Sequence, residues 1–187
     1  EKLVQYGITT SDHCEFGYGG QESIEHLFFS CPYSKRIRRE GLTKCNIQRS
    51  GLPWNEELKW ANVHMKGKSF PSWLRRVVLG ATVYHIWLEK NRRCFNNQFL
   101  PEQDIHQKIC EDVTGMAATY GPIEDNERNR SLCLATGQLK KKVPSFVTNF
   151  VTFLISLFYV LDFVLHVQTT DYLLDTYKYK VTLWGVL

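Results

Sequence analysis

The chain lacks the signatures of an enzyme. It carries no paired-aspartate polymerase motif, no glycine-rich phosphate loop and no nucleophile–base–orienter set. This predicts a non-catalytic protein without a small-molecule substrate. A disulfide framework is missing too. Six cysteines stand at 14, 31, 45, 94, 110 and 133, widely scattered after the first pair, and fit a reducing compartment better. No internal repeat is present. No signal peptide opens the sequence, and Glu1 in place of Met reads as a piece of a longer chain. The formal net charge is only +4, short of the dense basic clusters of dedicated nucleic-acid binders. It allows an RNA or DNA partner without requiring one.

The 187 residues suffice for one domain with appendages or two small ones. Hydrophobic residues make up 43% and charged ones 22%, which predicts ordered structure over most of the chain. The patterning predicts a mostly α fold. A zinc-loop module leads into an antiparallel helical pair and then a hydrophobic C-terminal helix. The expected divisions are residues 1–44, 45–139 and 140–187.

Residues 14–31 carry Cys14, His26 and Cys31 in a short span, with Pro32 directly after. Two thiols and an imidazole this close suit one Zn²⁺. A structural site wants four ligands, and the position three after Cys14 is Gly17. His13, Glu15, Glu22 or water would have to complete the set. The ordinary alternative is two plain thiols and a polar surface histidine. Ser23 is placed to cap a short helix from Ile24, and Pro32 to open the next, to about Leu42, with Gly41 near its end. That second helix bears Lys35, Arg36, Arg38 and Arg39, candidates for phosphate contacts on RNA or DNA. Arg75, Arg76, Lys90, Arg92 and Arg93 would extend the surface, and Tyr33, if exposed, would offer a ring for base stacking. A solvated helix face is the commoner reason for such charges.

A helix over residues 56–64 would anchor through Leu58 and Trp60. The clearest helix spans 72–95, capped by Ser72. Its stripe is Trp73, Val77, Ala81, Tyr84, Leu88 and Phe95, and Glu89 and the arginines fall mostly outside it. Asn96 and Asn97 close it. Pro101 opens a partner with Ile105, Ile109, Val113 and Ala117 at four-residue steps, ended by Gly121 and Pro122. Residues 124–130 read as a polar segment. Asn129, Arg130 and Ser131 form a glycosylation triplet expected to be silent. Residues 146–161 contain no charge, and Lys140, Lys141 and Lys142 precede them. A run over about 144–166 is long enough to span a bilayer at ~1.5 Å per residue. Its insertion would make the protein membrane-bound; otherwise a nuclear or cytoplasmic place is expected.

Cys14, then Glu22, His26, Leu27, Phe28, Phe29, Cys31 and Pro32, stand in the register of a known pattern. The chain resembles the zinc-binding region that follows the reverse transcriptase in plant LINE-type (non-LTR) retrotransposons. Leu52, Pro53 and Trp54, the stretch 84–95, and 129–133 also resemble that family, so the likeness covers about residues 1–133. It implies a four-ligand zinc site and nucleic-acid handling beside a polymerase lying upstream. Two positions depart from the family. Gly17 replaces its second cysteine, and Arg38 follows Ile37 where an aromatic is usual. The combined expectation is a non-catalytic, zinc-binding, nucleic-acid-associated remnant of such a protein. A small membrane-anchored protein with a metal-free N-terminal part is the alternative.

Overall fold

A computed structural model describes residues 13–117, 120 and 122–136. Six helices and no strands occur among them: α1 (His26–Ser30), α2 (Pro32–Lys44), α3 (Trp54–His64), α4 (Phe70–Asn96), α5 (Glu102–Ala117) and α6 (Glu127–Ala135). The mostly α expectation holds. The expected hydrophobic helix and the 144–166 run lie outside the described residues. Among the described residues, no helix is long and apolar enough to cross a membrane.

The first turns follow from local chemistry. The Ser23 hydroxyl accepts the His26 N–H at 3.0 Å, the capping bond expected of serine. The chain then winds wider than an α-helix. The Cys31 N–H reaches back to the His26 carbonyl at 2.7 Å, a π-helical closure. Pro32 disfavours helical backbone at the residue before it, and Cys31 is accordingly extended (φ −60°, ψ 131°). Pro32 then opens α2, where its missing N–H costs nothing.

α4 is the spine. At 27 residues it is ~40 Å long. Its cap is Ser69, whose hydroxyl accepts the Ser72 N–H, so the expected cap at Ser72 moves three residues upstream. Asn97 ends it in the left-handed conformation (φ 50°). Leu74, Ala81 and Ile86 are fully buried, with Val77 and Val78 beside them. α2 crosses α4 at Gly41. A Cβ there would sit 3.1 Å from both Thr82 Oγ1 and Val78 Cγ1, so only glycine lets the two backbones come this near without displacing neighbours. Ile105, Ile109, Val113 and Ala117 of α5 are all buried, as their spacing predicted. The pair is antiparallel. The Leu100 N–H, just before α5, donates to Glu89 near the end of α4. Tyr120, just after α5, packs on Trp73 at the start of α4, with ring centroids 4.7 Å apart. Buried residues from the 14–31 loop and all the helices but α3 join in one hydrophobic core, and Trp54 of α3 packs against it.

Patterning misplaced three residues of α4: Phe95, expected on the buried stripe, is 47% exposed near the helix end, and Glu89 and Lys90, expected outside it, are buried. In α3 the buried residue is Glu57, not Leu58 or Trp60, which are half-buried. Each of these charges is buried because it is matched. Glu57 faces Arg38 and Arg49, Glu89 holds Arg92 and Arg93, and Lys90 meets Glu22. The polar segment at 124–130 contains the start of α6. Asn126 caps it by accepting the Asn129 N–H at 2.9 Å. Asn129 itself is buried and donates to the Glu124 carbonyl, so the triplet's amide is turned inward.

Candidate metal centre

Cys14 enters from a tight loop. Its N–H donates to the Gly20 carbonyl at 3.1 Å, and its carbonyl accepts the Gly17 N–H at 3.0 Å. Gly17, Gly19 and Gly20 all have positive φ (78°, 69° and 82°), which lets the chain reverse in so few residues. An isolated antiparallel bridge between His13 and Gln21 closes the base of the loop. Phe16 tucks inward and stacks on Tyr33 at 4.3 Å. That ring pair seats the loop on α2. Cys31 sits at the N-cap of α2, and His26 begins α1.

These elements bring Cys14, His26 and Cys31 together, with one donor atom from each within 4.8 Å of the others. Both sulfurs are buried and free, 3.7 Å apart. A disulfide needs about 2.05 Å. Two thiolates each ~2.3 Å from one tetrahedral ion would be ~3.8 Å apart. The observed separation suits a pair of metal ligands, and in the metal-free protein it is that of a thiol–thiol hydrogen bond. His26 Nε2 is buried with no hydrogen-bond partner, and a bound ion is one way to satisfy it. Burial raises the Cys31 thiol pKa, backbone hydrogen bonds from Ser34 and Tyr33 oppose that rise, and the neighbouring Cys14 adds to it. A divalent ion would reverse the balance by favouring thiolate. The donor set thus fits a borderline-soft ion.

Among the described residues no fourth Cys, His, Asp or Glu joins the cluster. Of the expected substitutes, Glu22 points one oxygen at Lys90 Nζ, 3.1 Å away. Around Gly17 the space is open: a Cβ there would meet nothing within 4 Å.

The candidate phosphate contacts divide. Lys35 and Arg39 are exposed, one turn apart on α2. Arg36 is half-buried and forks onto Glu102, with Nη2 2.6 Å from Oε1 and Nε 3.1 Å from it. That hydrogen bond raises the guanidinium pKa and lowers the Glu102 carboxyl. Arg38 is a correction. Its side chain is 2% exposed, lies over the Phe29 ring at 4.5 Å and sits 2.9 Å from Glu57, so it is turned into the fold and away from any phosphate. The wider basic surface also shrinks. Arg75 and Arg76 bind the carbonyls of His64, Met65 and Gly67 at the end of α3. Arg92 and Arg93 are held by Glu89, and Lys90 by Glu22. Tyr33 is buried, which removes it as a stacking surface. The exposed aromatic rings among the described residues are Tyr18, Phe95 and Phe99, and of these Tyr18 and Phe99 lie against Arg36 and Arg93.

Comparison with protein-family models finds no match, and neither curated proteins nor solved structures contain one.

Proposed function

We propose that the protein is a non-catalytic, zinc-binding and nucleic-acid-associated module of the kind the sequence resembles, the region after a LINE-type reverse transcriptase. One observation carries the reading: two buried sulfurs 3.7 Å apart beside an unpartnered imidazole nitrogen. Cys14, His26 and Cys31 would hold the ion, which supplies folding energy to a glycine-rich loop with little apolar surface of its own. Phe16, Phe28 and Phe29 then anchor the loop and α1 in the core. The role of the metal is scaffolding. It fixes the loop against α2, and α2 presents Lys35 and Arg39 to phosphates.

Nucleic-acid binding by the full chain, measured against salt, tests the partner half of this reading. Affinity should fall steeply as salt rises, and Lys35→Ala with Arg39→Ala should flatten the slope by about one unit per cation removed. Absence of binding at low salt would refute it.

A further inference from the structure

The candidate phosphate contacts leave open what the surface reads, and the exposed rings beside α2 bear on that. Tyr18 is 45% exposed and Phe99 65%. They come from separate segments, the glycine loop and the α4–α5 connection, yet share one scaffold. The Arg36 guanidinium lies over Tyr18 at 5.1 Å and over Tyr33 at 5.9 Å. The Arg93 guanidinium lies over Tyr33 at 4.8 Å and over Phe99 at 5.3 Å. Buried Tyr33, with Phe16 stacked on it at 4.3 Å, therefore contacts both arginines, and each arginine also lies over one exposed ring. Both arginines are fixed from behind, Arg36 by Glu102 and Arg93 by Glu89. The Tyr18 hydroxyl also accepts from Arg36 Nη2 at 2.6 Å. Lys35 is the sequence neighbour of Arg36, and Arg39 lies one turn further along α2, both exposed.

Exposed rings backed by guanidiniums, with the exposed cations Lys35 and Arg39 on the same helix as Arg36, match what unpaired bases and their phosphates require. Base stacking on an aromatic face tolerates any sequence, because every base has a π-face, and cations alongside follow the backbone. In a duplex those base faces are covered by neighbouring pairs. A surface already held by ion pairs also loses little freedom on binding.

We infer that Tyr18 and Phe99 form a stacking shelf for the bases of single-stranded nucleic acid, with Lys35 and Arg39 serving its phosphates. The inference rests on the nucleic-acid reading above and narrows it to an unpaired strand.

The test uses the full chain, a short fluorescent oligouridylate and a duplex of equal length, read by anisotropy at low salt. The single strand should bind more tightly than the duplex. Tyr18→Ala and Phe99→Ala should each weaken the single-strand complex about tenfold. Leu134→Ala, on an exposed residue of α6, should bind as the parent does, and Tyr18→Phe, which keeps the ring but loses the hydroxyl that accepts from Arg36, should fall between the parent and Tyr18→Ala. Circular dichroism checks that each variant folds, and Phe99→Tyr should restore what Phe99→Ala loses. If folded alanine variants bind as the parent while Lys35→Ala and Arg39→Ala weaken binding, the shelf is refuted and the broader reading stands. Equal affinity for strand and duplex also refutes the shelf. No binding of either probe overturns both.

Discussion

Substituting Glu57 with glutamine should be among the most damaging single changes in the helical part of the molecule. Glu57 is nearly devoid of solvent contact, yet three hydrogen-bond donors and a second guanidinium converge on it. Arg49 supplies Nη2 at 2.6 Å and Nη1 at 3.1 Å, the Leu52 N–H comes to 3.2 Å, and Arg38 Nη2 lies at 2.9 Å. These contacts tie α2, the loop after it and α3 to one carboxylate. Glutamine keeps the shape but removes the charge and turns an amide NH₂ toward a guanidinium. Arg38 cannot swing to water, because its side chain is 2% exposed. Breaking a buried pair by removing one partner costs about 3–5 kcal/mol. That is a large part of a total stability of roughly 5–15 kcal/mol, and should lower Tm by about 10–20 °C. Thermal and urea unfolding followed by circular dichroism measure it. Glu57→Leu combined with Arg38→Leu should cost less than Glu57→Leu alone, since the buried Arg38 guanidinium is then not orphaned on α2, while Arg49, 18% exposed, loses the same acceptor in both. Burial raises the Glu57 pKa, but Arg49 and Arg38 outweigh that and hold it below the ordinary carboxylate range. The stabilisation is therefore complete above the unfolded-state pKa and is lost as pH falls through the lower, folded-state value. The parent should lose stability in acid, and the glutamine variant should lose less. A Glu57→Gln protein within about 1 kcal/mol of the parent, the ceiling for an ordinary exposed pair, would refute this reasoning.

Gly41→Leu should destabilise by about 1–3 kcal/mol in urea unfolding, because even a Cβ at the α2–α4 crossing would press on Thr82 and Val78 at 3.1 Å; near-parent stability would show that these neighbours give way. Gly17→Cys should raise zinc content and the stability of the zinc-loaded protein, since the space there is open. Its φ of 78° should cost the metal-free form about 1–2 kcal/mol, so the two forms should shift in opposite directions; unchanged zinc content would count against a vacated ligand position. Burial pushes the Cys45 thiol up to about 12. Cys45 should therefore resist alkylation in the folded protein and react on unfolding, as peptide mass mapping would record; prompt labelling would contradict its burial.

The parts legible from sequence were those where apolar spacing and backbone chemistry decide the outcome. Ile105, Ile109, Val113 and Ala117 form one stripe, and burial follows from geometry. Ser23, Pro32 and Asn97 act through their own capping or backbone preferences, and each is found where those preferences put it. The grouping of Cys14, His26 and Cys31 was also legible, because a tight glycine loop and two short helical turns leave the three donors few other places to go. What stayed hidden were charges whose partners are distant in sequence. Glu57, Glu89, Lys90 and Arg38 look like surface residues by type, and only the fold reveals the counter-charge that lets each go inside. The same blind spot made the basic residues look like one continuous surface, when acceptors within the protein already hold Arg36, Arg75, Arg76, Arg92 and Arg93. α6 was missed because its apolar face is short, although Asn126 ahead of Glu127 was a readable cap.

Metal content tests the central claim most directly. The purified full chain should carry zinc at less than one equivalent and take up cobalt to one equivalent, with a thiolate-to-metal charge-transfer band of two sulfurs. Cys14→Ser, His26→Ala or Cys31→Ser should each abolish tight uptake, and uptake should weaken as pH falls, because both thiols and the imidazole must release their protons to bind. A chain that takes up no metal, or one whose uptake survives loss of Cys31, would contradict the account.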